Sequence, residues 1–395
     1  MKIFIKILIY LNLLFFSINS IANHSLYGRI NISGNYSDTE NITDLGTPNE
    51  FSSSTTMGNL VSNASRFGIK GEFNIKDNLV GIYQAEYEAI VLEEEVYGNL
   101  YNIPGEETFK QRNTFIGIQG NFGTIRLGTY DSPLKLAQLD VDLFNDLIGD
   151  IKNITAGENR NKSSIGYDSP FLTEGLKIHL SFNREGYSTT TVITRDENGV
   201  VTGSYTDPYM SPLGEFQYPL GGVSYSRGLK NLGTGKSLSL KYDNEKIKLA
   251  VAAERGSKMG LDHNRLGMMI PSGPVMIGLI YTTSKSSNYE EFRHPFDYDA
   301  VTLSLKGNLP DQKGELKFQY SDSNAYKNFN RIQLGYDYKF SKDFKVFGFY
   351  LRSSRNSEGR VLVNPFGGAT PSESSYKSYY FGIGLEYKFS YLFGN

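Results

Sequence analysis

The chain of 395 residues contains no cysteine and no tryptophan, and its histidines number 4. Without cysteine there is no disulfide framework and no thiol chemistry. An excess of one charge is missing too. Lys and Arg number 40 against 42 Asp and Glu, so nothing points to nucleic acid or another polyanion as partner. Mean hydropathy is negative, and no apolar run beyond the N-terminus is long enough to span as a helix, which excludes a bundle of transmembrane helices. A transmembrane barrel stays open, because there only alternate residues of each strand face lipid. What the chain has in quantity is Tyr (28), Phe (25) and Gly (41), against 13 Pro.

The N-terminus reads "MKIFIKILIYLNLLFFSINSIA". Lys2 and Lys6 precede an apolar run from Ile7 to Phe16, and the stretch ends in Ser20-Ile21-Ala22. That charged, apolar, small-residue order is the plan of a secretory signal, with cleavage expected after Ala22. The alternative, an uncleaved anchor helix, has rather a short apolar run. Residues 1–22 are therefore expected as signal peptide, and 23–395 as one exported domain.

That domain alternates apolar and polar residues throughout. In "TFIGIQGNFGTIRLGTYDSP" (114–133), Ile116, Ile118, Ile125 and Leu127 face one way, and Gln119, Thr124 and Arg126 the other. Strict alternation gives a strand one apolar and one wet face. Such segments occur at 25–36, 63–74, 78–91, 111–121, 122–130, 161–169, 174–184 and 236–243. They continue at 246–254, 262–270, 274–285, 295–308, 313–321, 328–340, 343–353 and 375–389. "LGGVSYSRG" (220–228) makes a further candidate. If it belongs to a loop, eight long connections alternate with seven short ones. Sixteen antiparallel strands follow, with both termini on the short-turn side.

The expected fold is all-β: a transmembrane antiparallel barrel with long extracellular loops and short periplasmic turns. A soluble sandwich has no reason to sort its loops by end. Closure leaves no unpaired edge in hydrocarbon, and the Tyr and Phe excess supplies the interfacial girdles in the absence of Trp. Sixteen strands are too many for wall side chains to fill the interior, so an aqueous channel follows.

Several stretches resemble one family. They are "LYGRINISGNY" (26–36), "SRFGIKGEF" (65–73), "FIGIQGNFGTIRLGTYDSP" (115–133), "NKSSIGYDSP" (161–170), "RIQLGYDYKFSK" (331–342) and "YYFGIGLEYKF" (379–389). In this order they look like wall strands of the sixteen-stranded trimeric general porins of Gram-negative outer membranes. The resemblance covers the mature chain at strand level and the loops much less. It departs at the end, where the family closes its last strand with an aromatic residue and here Phe389 is followed by "SYLFGN". The resemblance implies a homotrimer in outer-membrane lipid that passes ions and small hydrophilic solutes and carries no cofactor.

It also implies that the third long loop, 131–160, folds into the barrel and narrows the pore. In that loop Leu136, Leu139, Leu143, Leu147 and Ile151 recur at helical spacing, and Asp142, Asp146 and Asp150 fall four apart. A short helix with its apolar side on the wall would show these carboxylates to water. The residues alone favour an ordinary extracellular loop with a solvated acidic face, and the resemblance reverses that preference. A calcium loop around Asp140 and Asp142 is a third reading, but Phe144 and Asn145 stand where a ligand and glycine belong. With the loop inside, Asp140, Asp142, Asp146 and Asp150 form the acidic side of a constriction. Alternation points Arg29, Arg66, Lys70, Arg126, Arg160 and Lys162 inward as its basic wall, tempered by Glu86 and Glu88. Charges so arranged set ion selectivity, and their balance leans toward weak anion preference.

Enzyme chemistry finds no support. His24, His179, His263 and His294 lie in no nucleophile motif, and no metal spacing or phosphate-cradling loop appears. Glu93-Glu94-Glu95 reads as solvated surface. The reading from a different class is a structural or adhesive barrel with a plugged, non-conducting lumen.

Overall fold

A closed barrel satisfies every backbone group of an alternating chain, and closure is what the ladder of this protein achieves. The computed structural model describes residues 22–43, 50–89, 91–92, 109–195, 201–207, 221–256, 261–286, 297–325, 327–358 and 373–394. The signal segment (Ala22 apart), Glu93–Glu95 and His294 lie outside them.

The strands are β1 (Ala22–Thr43), β2 (Phe51–Ser62), β3 (Arg66–Lys76), β4 (Leu79–Ala89), β5 (Phe109–Gly120) and β6 (Gly123–Asp131). After a short helix α1 (Pro133–Leu136) come β7 (Arg160–Asp168), β8 (Leu176–Arg195), β9 (Val201–Asp207) and β10 (Gly221–Asp243). Then follow β11 (Lys248–Arg255), β12 (Leu261–Ser272), β13 (Val275–Ser286) and β14 (Tyr298–Asn308). The last are β15 (Gly314–Ser323), β16 (Lys327–Lys339), β17 (Phe344–Glu358) and β18 (Glu373–Phe393).

These elements fill sixteen wall positions. β2 and β3 both pair with β1 and are two parts of one wall strand. The break between them is held by Asn63, which donates from its side chain to Ser33 Oγ at 3.0 Å. β9 pairs with the upper part of β8, above β7. Every pairing is antiparallel, and β1 meets β18 in register from His24↔Phe393 to Ile42↔Ser375.

The outer face carries Ile116, Leu127, Leu303 and Ile383, all exposed. The inner face carries small polar groups such as Ser181, Ser239, Thr282 and Ser321, all buried. No helix among the described residues is long and apolar enough to cross a membrane, which says nothing of the strands.

Three features lie beyond what alternation revealed. β1 and β2 run through most of 37–62, read from sequence as a loop, and β8 and β10 extend into 185–235. Residues 221–228 are the first part of β10, not a separate strand. These extensions are rich in Ser, Thr and Asn, so the sequence of their hydrogen-bonded ladder has little hydrophobic signature. At the other end β18 continues past Phe389 to Phe393, which absorbs most of "SYLFGN" into the wall.

The segment between β6 and β7 folds into the barrel. Leu134 and Ala137 bury against Ala250 and Ala252 of β11. Val141, Ile151 and Ile154 pack with Met269, Met276 and Ile280 of β12 and β13. Phe144 and Leu147 reach Phe347 and Phe349 of β17. On these strands the inward face carries apolar residues where the loop, not water, covers it. Gly335 of β16 belongs to the same seat: a Cβ there would approach the Phe144 ring to 2.9 Å.

Candidate functional site: a charged constriction

The loop is not one helix. Its regular parts are α1 and a 3₁₀ turn at Ile151–Asn153. Leu139 and Asp146 take φ of 56° and 67°, left-handed values that end a right-handed helix. The spacing Leu136, Leu139, Leu143, Leu147, Ile151 therefore makes no continuous stripe. Leu136 is exposed, and Val141 and Phe144, outside that spacing, are as fully buried as Ile151 within it.

The four loop carboxylates consequently part company. Asp142 accepts backbone N–H groups from Phe144 and Ile151, both at 3.1 Å, and the Gln319 amide at 3.3 Å. Burial, with the nearby Asp150 charge, pushes its carboxyl up to about 7. Asp150 caps the 3₁₀ turn through Lys152 N at 2.8 Å and accepts Asp146 N at 3.0 Å. Asp140 is exposed on the turn after Leu139. The three-residue acidic stripe is thus replaced by two structural carboxylates and one at the loop tip.

That one is Asp146. It contacts Arg29 of β1 and lies 3.1 Å from Arg66 of β3. Burial alone would raise its carboxyl, but Arg29, Arg66 and Arg112 outweigh burial and hold it at about 2. The arginines are themselves interleaved with acids. Arg29 lies 3.4 Å from Glu386, Arg66 4.0 Å from Glu86, and Arg112 2.8 Å from Glu86 and 3.0 Å from Glu88.

Arg112 was missed by alternation because it shares parity with Ile116 and Ile118. The ladder of β4 with β5 shifts register between Ala85 and Tyr87. A bulge there puts Arg112 on the inner face, opposite Glu86. The signal was present: an arginine at lipid parity costs ~2–4 kcal/mol near the midplane, so its occurrence itself argues for a bulge.

The remaining basic residues are scattered. Lys70 lies over the Tyr27 ring at 5.3 Å. Arg126 contacts Asp168, lies over the Phe115 and Tyr130 rings, and shares Asp168 with His179 at 2.7 Å. Arg160 pairs with Asp131 at 3.0 Å at the root of the loop, beside Lys135. Lys162 sits in a bulge where it and Ser163 together face Thr129, so the inward parity of Ser164 does not continue to it. Arg29, Arg66 and Asp146 meet; Lys70, Arg126, Arg160 and Lys162 stand apart from them.

Arg265 ties the loop down. Fully buried on β12, it donates to Glu158 at 2.5 Å, to Ala156 O at 2.7 Å, to Leu134 O at 3.4 Å and to Thr282 Oγ1 at 3.1 Å. It joins the start of the loop to its end. Among the described residues no cluster of His, Asp or Glu forms a metal site.

A family model described as Gram-negative porin matches residues 13–358. The chain belongs to the Gram-negative porin family. This porin is 28% identical over 170 residues to a major outer membrane protein P.IB of Neisseria sicca, covering 42% of this chain and 43% of the relative. It is 32% identical over 120 residues to the P.IB protein of Neisseria meningitidis serogroup B, covering 29% and 32%. The matched stretch spans less than half the length of these relatives. Among solved structures, an anion-selective porin from Comamonas acidovorans aligns with TM-score 0.57 at 17% identity, over 93% of this chain and all of that one. The trimer form of OmpT from Vibrio cholerae aligns at 0.54 and 12% identity, over 93% and 99%. The solved structures show the fold, and the family match with the Neisseria outer membrane relatives places the porin in the outer membrane.

Proposed function

We propose that the protein is a general diffusion porin, a water-filled channel for passive passage of ions and small hydrophilic solutes. The observation that carries this reading is a barrel of sixteen wall positions whose third loop lies against the inner wall of β11 to β17. Its apolar anchors are spent on that wall, and toward β3 it presents the charged tip Asp146 instead. Passage then runs between the loop and the β3–β8 wall. We assign the constriction to Asp146 of the loop facing Arg29, Arg66 and Arg112, with Glu86 and Glu88 among them. Lys70 and Arg126 line the approach. Asp142 and Asp150 set the loop's shape, and Arg160 its root.

The reading requires no catalysis and no cofactor. Export by a signal cleaved after Ala22 and assembly as a homotrimer accompany it, the trimer supported by family membership. A plugged structural or adhesive barrel would need loop mass across the β3–β8 side, and the packing of this loop favours the open alternative. Purified protein in planar bilayers is expected to give stable ohmic channels, in threes for a trimer. Failure of correctly folded protein to conduct at any voltage would overturn the reading.

A further inference from the structure

The outer wall over β13 to β18 is hollowed into an apolar groove of about 690 Å³, within the ~300–1,000 Å³ of ligand sites. One ladder row of its floor runs Val275, Gly307, Leu316, Tyr336, Gly348 across five strands. The row above it runs from Leu305 to Phe381 and is aliphatic and aromatic.

The two glycines make the hollow. A Cβ at Gly307 meets nothing within 4 Å, and one at Gly348 meets nothing closer than Gly382 O at 3.7 Å. Neither has a positive φ. Glycine weakens a strand, and here neither the backbone nor internal packing requires it. This differs from Gly335, whose missing Cβ makes room for Phe144. The space left by Gly307 and Gly348 faces outward, away from the protein.

Depth identifies what fills it. Gly307 is one residue from the end of β14, and Tyr350, in the upper row, is six beyond the start of β17. At ~3.4 Å per residue and a tilt near 40°, six residues climb about 16 Å through an apolar band of about 25 Å. The groove therefore runs from the periplasmic rim to just past the midplane, which is about 12.5 Å up that band. Its rim is aromatic, with Phe340 5.0 Å from Tyr338 and 5.7 Å from Phe344. The two turns below it each carry both signs of charge, Asp311 and Lys313 in one and Lys342 and Asp343 in the other. A headgroup carrying both a phosphate and an ammonium is complementary to that rim.

We propose that this groove is a binding site for one acyl chain of a zwitterionic phospholipid of the periplasmic leaflet. The proposal rests on the outer-membrane placement and not on conduction, so its failure leaves the channel reading intact. The absence of tryptophan supplies the test. Tyr350→Trp gives a single reporter in the groove, and Val251→Trp gives one on the lipid-facing side of β11. Delipidated protein in mild detergent is titrated with phosphatidylethanolamine carrying brominated chains.

Quenching at the groove should saturate near one lipid per protomer, whereas quenching at β11 should rise without saturating. Gly307→Val with Gly348→Leu, in the Tyr350→Trp background, should weaken the saturable component at least tenfold. Identical unsaturable quenching at both reporters in the unfilled protein overturns the proposal, whether or not the filled variant folds. So does a filled variant that keeps the saturable component but changes oligomeric state, because the groove is then an interface between copies.

Discussion

Arg265 is the point at which the constriction loop can be released without touching the pore lining. Its side chain is fully buried and the Glu158 side chain 9% exposed. Replacing Arg265 by Met leaves Glu158 without its donor and takes one donor from the carbonyls of Leu134 and Ala156, which keep Ala137 N and Thr155 Oγ1. Breaking a buried pair from one side costs roughly 3–5 kcal/mol. At 1.4 kcal/mol per decade that is roughly two to nearly four decades in the docking equilibrium. The loop escapes the cost by lifting its neck and returning Glu158 to water. Single-channel records of Arg265→Met should therefore show larger, noisier openings, and trypsin should cut after Lys152 faster than in the parent. Glu158→Gln added to Arg265→Met removes the stranded charge and should recover most of the quiet current. If the single variant conducts quietly and resists trypsin as the parent does, Arg265 does not hold the loop.

Removing the loop-tip charge with Asp146→Asn should move the reversal potential toward anion preference, an effect that fades in high salt. Leu127→Arg, 49% exposed on the outer face, should cost roughly 2–4 kcal/mol of insertion into vesicles. Thr124→Arg on the inner face should fold normally and alter conductance, and equal tolerance would refute the assignment of faces. For pH the sign follows from direction. The Asp142 carboxyl, raised from 3.8 to about 7, keeps a proton in the seated loop that a free carboxyl gives up, so seating is firmest below about pH 4 and weakens as pH rises to about 7. The Asp146 carboxyl, lowered from 3.8 to about 2, contributes above about pH 4 and is lost as pH falls through about 2. Trypsin rates from pH 5 to 8 should rise more than the enzyme's own profile, and Asp142→Asn should abolish that excess.

The wall was legible because lipid imposes a period of two on every strand it touches. Ile116, Ile118, Ile125 and Leu127 could be assigned from sequence for that reason, and so could Arg29 and Arg126 opposite such sets. Legibility stops where that constraint stops. Above the membrane both faces of β1 and β2 meet water, so 37–62 read as loop although it is mostly ladder. At bulges parity breaks, which hid Arg112 and misdirected Lys162. Inside the loop nothing imposes a period, and the four-residue spacing of its aspartates carried no helix once Leu139 and Asp146 turned left-handed. The apolar residues at inward positions of β11, β12 and β13 were the clue available for the seat. Ala250, Ala252, Met269 and Met276 hold inward positions where a bare channel wall would be polar.

The charge pattern at the tip follows from the same packing. A row of unpaired arginines facing a row of loop carboxylates requires the two rows to be held apart by water. Here the loop reaches the wall, so Asp146 touches Arg29 and lies 3.1 Å from Arg66. Glu86, Glu88 and Glu386 fill the gaps between Arg29, Arg66 and Arg112. Three cations then stand among four anions within one contiguous network, and most of each field is cancelled within a few ångströms of its source. Such a network sets the shape of the opening firmly and its polarity weakly. The lean toward anions drawn from unpaired wall cations loses its basis, and the proposed constriction is expected to select by size and hydration more than by sign.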